Sequence, residues 1–132
     1  MTQPAADSLA TRVLLLAPTA KDAEVTASLL TRAGVAVTAC DTARCLIDEM
    51  NVGAGAILMT EEALGAKGAP ELVGVLKQQS PWYKIPLVIL MHEGSARASL
   101  VRSLENVTLL ERPAAMRTVI SSVQAALRER HR

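Results

Sequence analysis

Ala54-Gly-Ala-Ile-Leu-Met-Thr-Glu-Glu-Ala-Leu64 is the stretch from which the fold can be read. Ala56 to Met59 is a short, uninterrupted apolar run, the pattern of a strand buried on both faces. It stops abruptly at Thr60, Glu61 and Glu62. In an open α/β domain, the carboxyl end of a central parallel strand is where ligands bind and chemistry is done. Met59, Thr60, Glu61 and Glu62 are therefore the first residues to question for function.

The flanking sequence supports a central strand. Upstream, Arg12-Val-Leu-Leu-Leu16 predicts a first buried strand, and the small, polar residues 1–11 predict a flexible leader to a domain spanning residues 12–130. Ala17-Pro-Thr-Ala20 breaks that strand. Thr19, with Asp22 three residues on, caps a helix whose inner face is expected at Val25, Leu29 and Ala33 and whose end is Gly34. Val35 to Ala39 predicts a second strand. Asp41 or Thr42 opens a second helix that faces inward through Ala43, Leu46, Ile47 and Met50.

Downstream, a loop is expected through Gly65 and Gly68, then Pro70 as the first residue of a third helix with Leu72, Val73 and Leu76 inside. Ile85 to Met91 predicts a fourth strand. Ser95 is expected to cap a short helix carrying Ala96, Leu100, Val101 and Leu104. Val107 to Leu110 predicts a fifth strand, and Met116, Val119, Ile120, Val123 and Leu127 mark one stripe of a final helix. Five strands alternating with five helices through short connections imply an α/β, doubly wound parallel sheet with helices on both faces.

The chain has 132 residues, enough for one domain with one core. Half of it is apolar, yet it has no Phe and is only 2% aromatic, so the core must be built from Leu, Val, Ile, Ala and Met. A formal net charge of +1 gives no steering toward nucleic acid or an acidic membrane. No apolar run approaches the roughly 18 residues that span a bilayer, so no membrane contact is expected of this segment. The start lacks the basic region and apolar core of a secretion signal, and with two cysteines a reducing cytoplasm is expected.

This order of elements, with Glu111-Arg-Pro113 after the last strand and Ile85-Pro86 before the fourth, resembles the receiver domain of bacterial response regulators from Arg12 to Leu127. The resemblance implies a flavodoxin-like fold with strand order 2-1-3-4-5. It also implies a phosphotransfer site: two acids after the first strand holding Mg²⁺, an acceptor Asp ending the third, a Thr or Ser ending the fourth, and a Lys-Pro pair after the fifth. A hard cation needs oxygen ligands and neutralises phosphoryl charge in transfer, hence the clustered acids. Here the positions matching the acid pair are Ala17 and Pro18, the acceptor position is Thr60, and the switch position is Met91, followed by His92. The Lys-Pro position is Arg112-Pro113.

The chain is thus similar to a degenerate receiver, or pseudo-receiver, like those at the front of sensor or hybrid histidine kinases. No catalytic residue, metal or cofactor is expected. Expected partners are proteins or other domains of the same signalling chain, with a homodimer through the last helices. Arg97, Arg102, Arg117 and Arg128 are placed on or near that face. The charged Arg128-Glu-Arg-His-Arg132 has no stop signal, so the last helix is expected to continue into a following module. Glu61 and Glu62 are loop acids or partners for Arg112.

The alternative is a small-ligand sensor. A pocket lined by Met59, Thr60, Glu61, Met91, His92 and Arg112, mostly apolar with one fixed cation, would suit a small anion or an organic acid. Other signals are weaker. Cys40 and Cys45 are spaced as small buried cysteines more than as a redox pair or a metal site. His92 stands where a pH sensor would, or is a loop histidine. Trp82 and Tyr83 mark an interaction surface or cover the bottom of the core. Gly53-Ala-Gly55 and Pro18-Thr-Ala-Lys21 lack the spacing of a phosphate-cradling loop.

Overall fold

A computed structural model describes residues 6–65, 69–79, 84–92, 94–104, 106–112 and 114–130. Five strands form one parallel sheet: β1 (Val13–Leu16), β2 (Val37–Cys40), β3 (Ala56–Thr60), β4 (Leu87–Met91) and β5 (Val107–Glu111). Their order is β2-β1-β3-β4-β5. Val13 lies in register with both Val37 and Ala56, Thr60 opposite Leu90, and Met91 opposite Glu111. The α-helices are α1 (Ala6–Thr11), α2 (Ala20–Arg32), α3 (Ala43–Val52), α4 (Ala69–Lys77), α5 (Ala98–Arg102) and α6 (Met116–Arg130), with a 3₁₀ turn at Glu61–Gly65.

Successive side chains of a strand point to opposite faces, and both faces of β1, β3 and β4 are buried, while the edge strands β2 and β5 are only partly covered. Leu14, Leu16, Ile57, Met59, Leu87 and Ile89 point toward α3, α4 and α5, which answer with Leu46, Ile47, Leu72, Leu76, Val101 and Leu104. Val13, Leu15, Ala56, Leu58 and Val88 point the other way, toward Leu30 of α2 and Val119, Val123 and Ala126 of α6. That explains why the strands read as continuous apolar runs and why no aromatic residue is needed in either layer.

The inner faces of α3 and α6 lie where the periodicity places them. That of α2 does not: Val25 is 51% exposed, and the face packed on the sheet is Ala23, Ala27 and Leu30. Two alanines allow the helix to approach the sheet closely, and their small side chains hide the stripe from a search for large apolar residues. On α5, Ala96 precedes the helix and is exposed, whereas Val101 and Leu104 are buried. Thr19 and Thr42 cap their helices, accepting hydrogen bonds from the backbone N–H of Asp22 at 3.1 Å and Cys45 at 3.0 Å. Gly34 follows α2 with a φ of +83°, the left-handed conformation that glycine adopts without strain. β2 begins at Val37, two residues later than expected, and β4 at Leu87, also two later. Pro70 is the second residue of α4.

Residues 6–11 are helical, not a loose leader. The cause is close backbone packing at the N-terminal end of the sheet. A Cβ on Gly55 would stand 2.2 Å from the carbonyl oxygen of Ala10 and 2.6 Å from a methyl of Leu127. The missing side chain thus lets α1 and the end of α6 meet at the start of β3. Arg12, 9% exposed, fastens the same end. Its guanidinium donates to the carbonyls of Gly53 (2.7 Å) and Glu49 (2.9 Å), to Thr38 Oγ1 (3.2 Å) and to Glu49 Oε1 (2.8 Å). Two of these acceptors are carbonyls at the C-terminal end of α3, where a cation is favoured.

Candidate functional site at the carboxyl ends of the strands

β3 ends at Thr60, and the chain turns at once into the 3₁₀ turn that begins with Glu61 and Glu62. Glu61 is directed inward, with a side chain only 7% exposed. Its Oε2 accepts the backbone N–H of His92 at 2.7 Å, and its Oε1 accepts the hydroxyl of Ser95 at 2.9 Å. Arg97 lies 3.5 Å from Oε1 and Arg112 3.9 Å from Oε2. Burial alone would disfavour the charged carboxylate. The His92 N–H, the Ser95 hydroxyl and the Arg112 charge outweigh it and hold the Glu61 pKa below the usual carboxylate value.

Glu62 points the other way around the turn and accepts from Arg112 at 2.6 Å. Burial again opposes its charge, but the hydrogen bond from Arg112 prevails and lowers its pKa to about 2. Arg112 is itself ordered by the end of the sheet, its N–H donating to the carbonyl of Met91 at 2.8 Å. Three buried polar atoms near this pair, Thr60 Oγ1, Glu62 Oε2 and Arg112 Nε, have no well-aligned hydrogen-bond partner among the described residues, although the Thr60 hydroxyl lies close enough to Glu62 to help lower its pKa.

The expected pocket is therefore drawn differently. The structure brings together Thr60, Glu61, Glu62, Arg112 and the backbone of His92. It does not bring Met59 and Met91 to a pocket: they are 0% and 6% exposed and belong to the core between the sheet and α3, α4 and α5. Nor is Arg112 an available fixed cation, because two carboxylates already neutralise it. The His92 ring is at the surface, and the residue contributes to the site through its backbone. Pro113, Trp82 and Tyr83 lie outside the described residues.

Sequence reasoning missed Ser95 and Arg97. Ser95 was expected to cap α5, but its Oγ donates to Glu61 and accepts the N–H of Arg97 at 3.1 Å, and α5 begins only at Ala98. A serine and an arginine two residues apart in a short loop carry no signal by themselves. Only the buried Glu61 gives them their role.

Ala17 and Pro18 follow β1 and flank a crevice where the chain leaves β1 and β3 in opposite directions, the switch point of the sheet. A cavity of about 280 Å³ there is lined by Leu16, Ala17, Pro18, Asp41, Thr42, Ala43, Glu62 and Ala63. A neighbouring cavity of about 430 Å³ shares Ala17, Pro18 and Asp41 and reaches Cys40. Mg²⁺ takes near-octahedral oxygen ligands, usually one or two carboxylates with waters and phosphate. Ala17 and Pro18 offer no carboxylate at the end of β1, and the Glu61 oxygens are engaged. Of the two acids lining the cavity, Glu62 is taken by Arg112, which leaves Asp41 as the one free carboxylate there among the described residues, a poor fit to that ion. Among the described residues, no three His, Cys, Asp or Glu side chains are grouped to hold a metal. No described helix is long and apolar enough to cross a membrane.

Neither a protein-family model nor a curated protein matches the sequence. Many solved structures match the fold. The N-terminal domain of a response regulator/sensory box/GGDEF three-domain protein from Carboxydothermus hydrogenoformans superposes with a TM-score of 0.72 at 22% identity, over 89% of this chain and 94% of that one. The chemotaxis response regulator CheY4 of Vibrio cholerae gives 0.71 at 18%, over 88% and 98%. A sensor protein from Polaromonas sp. JS666 gives 0.71 at 16%, over 90% and 97%. Strand order, connectivity and these superpositions agree: the chain has the flavodoxin-like fold of response-regulator receiver domains.

Proposed function

We propose that this chain is a pseudo-receiver, a regulatory module of two-component phosphorelay signalling that acts through protein contacts and is not switched by its own phosphorylation. The observation that carries this reading is the internal ion-pair cluster. Where the family resemblance implies a phosphoryl group bridging the end of β3, the end of β4 and a basic residue, the buried carboxylate of Glu61 already reaches the β4–α5 loop through His92 N–H and Ser95 Oγ. Arg112 is already paired with Glu62. Thr60 has no metal-holding acid pair, and the carboxylate beside its hydroxyl, Glu62, is paired with Arg112 and held at a pKa of about 2, too weak a base to activate it. In this reading the domain is cytoplasmic, forms the N-terminal part of a histidine kinase, and dimerises or docks through α5, β5 and α6. The likeness to a sensor protein and to the first domain of a multidomain regulator supports that setting.

The test is to incubate the purified domain with acetyl phosphate and Mg²⁺ and weigh it intact. No phosphoryl adduct is expected, and a stoichiometric one at Thr60 would overturn the proposal. A second reading, a small-ligand sensor, is favoured by the cavity at the switch point. Its lining carries Asp41 and Glu62, so it does not suit the anion that an unpaired Arg112 would have bound. A ligand screen by thermal shift, with Glu62→Gln as the control, distinguishes the two readings.

A further inference from the structure

Cys40 and Cys45 take no part in the ion-pair cluster, yet the turn from β2 into α3 brings the Cys45 side chain within hydrogen-bonding reach of the Cys40 thiol. Cys40 ends β2 and is 2% exposed. Cys45 is the third residue of α3, partly exposed, and packs against the same core cluster as Cys40. The sharp turn between them is held by Thr42, whose hydroxyl accepts the N–H of Cys45. Both are free thiols. The larger of the two cavities is lined by Cys40 and Asp41, at the Cys40 end of the turn. Burial, and then the adjacent Cys45 thiol, push the Cys40 thiol up to about 12. Cys40 is therefore held protonated, while Cys45 is the more accessible of the two. An oxidant arriving from solvent meets the partly exposed Cys45 before the buried Cys40, which assigns the first step to Cys45.

We propose that Cys40 and Cys45 are a reversible redox pair, oxidised by a hydroperoxide to an intramolecular disulfide that ties the end of β2 to the first turn of α3. In the first step the Cys45 thiolate attacks a peroxide oxygen. The O–O bond breaks, Cys45 becomes a sulfenic acid and the leaving hydroxide takes up a proton as water. In the second step the Cys40 sulfur attacks the sulfenic sulfur. The S–S bond forms, the S–O bond breaks, and the departing hydroxyl leaves as water with the Cys40 proton. Two thiols lose two electrons in all, and hydrogen peroxide becomes two waters. A dithiol reverses the change by exchange.

The bridge would stiffen a turn with two further duties. Asp41 and Thr42 form a wall of the switch-point cavity, and Arg44 pairs with Glu71 of α4 at 2.7 Å. The oxidation state of the pair therefore bears on the cavity and on how α3 sits against α4. The reducing compartment expected from the sequence keeps the pair open at rest.

The test is graded hydrogen peroxide treatment of the whole chain, followed by alkylation under denaturing conditions and intact mass. The expected result is a monomer that has lost two hydrogens, takes up no alkylating agent, and recovers two alkylatable thiols after dithiothreitol. With Cys40→Ser, the expected result is a sulfenic acid at Cys45 that a dimedone probe traps. With Cys45→Ser, Cys40 is expected to stay unmodified at the same dose. The proposal is overturned if both thiols of the natural chain stay alkylatable, if Cys45 goes directly to sulfinic acid, or if the only disulfide formed joins two chains. The natural chain decides this by itself, so a variant that fails to fold leaves the test intact.

Discussion

Glu61 shows how one buried carboxylate can tie the end of a strand to a neighbouring loop. A buried carboxylate left alone would be protonated or destabilising, and here two donors and two guanidinium groups offset that cost. Glu61→Gln keeps the shape and one acceptor but removes the charge, and is expected to lower the unfolding free energy by about 1–3 kcal/mol in urea titrations at neutral pH. The pH dependence has a definite sign. Glu61 and Glu62 both have folded pKa values below the ordinary 4.5, Glu62 at about 2. The unfolded chain therefore takes up these protons first as pH falls. The stability they contribute is complete above about 4.5 and is lost as pH drops through the folded values, toward about 2 for Glu62. Unfolding curves from pH 6 downward should show a smaller loss of stability in Glu61→Gln than in the natural chain. Equal slopes would mean that Glu61 does not carry the charge described. Arg12 makes the same kind of claim at the other end of the sheet. Arg12→Met removes four hydrogen bonds and takes away the guanidinium partner of the Glu49 carboxylate and of the Gly53 carbonyl. About 3 kcal/mol of destabilisation is expected, measured by chemical denaturation.

Elements show where the sequence was legible and where it was not. The five strands and the inner faces of α3 and α6 follow from apolar runs and large side chains at helical spacing, the two capping threonines from cap chemistry, and the strand order from the resemblance to receivers, and all are present. What failed depended on small residues or on absent side chains. The sheet face of α2 is written in Ala23 and Ala27, which weigh little in any hydrophobic pattern. Helix α1 exists because the backbone at Gly55 has no Cβ to repel Ala10 and Leu127, a distance that no local pattern encodes. Likewise Met59 and Met91 were placed at a pocket because they end strands, but strand parity turns both into the core. Gly55→Ala tests the account of α1. Its methyl would meet a backbone oxygen that cannot rotate away, so about 1–3 kcal/mol of destabilisation is expected, with lost helicity by far-UV circular dichroism as α1 is displaced. A neutral substitution would mean that α1 does not pack at this point.

At the scale of the molecule, both ends of the sheet are tied across elements, but by different means. The N-terminal end is fastened by Arg12 and by close backbone contact. The carboxyl end is fastened by the Glu61 carboxylate, which joins β3 to the loop leading into α5, and by Arg112, which joins β5 to the turn after β3. The position of α5 therefore depends on a charge that is always present. α5 is short, five residues, and its first residue follows a cap position with no side-chain hydrogen bond, so its own propensity gives it little independent stability. Removing the Glu61 charge should loosen this corner before the rest. Amide hydrogen exchange by mass spectrometry is expected to show faster exchange in Glu61→Gln across residues 94–104, while β1 and β3 keep their protection, because local opening follows the elements with the weakest tertiary support. Exchange raised evenly over all five strands would mean that Glu61 only adds to global stability. Exchange raised only around α5 would mean that the carboxylate sets the state of the face formed by α5, β5 and α6, the face proposed above for docking.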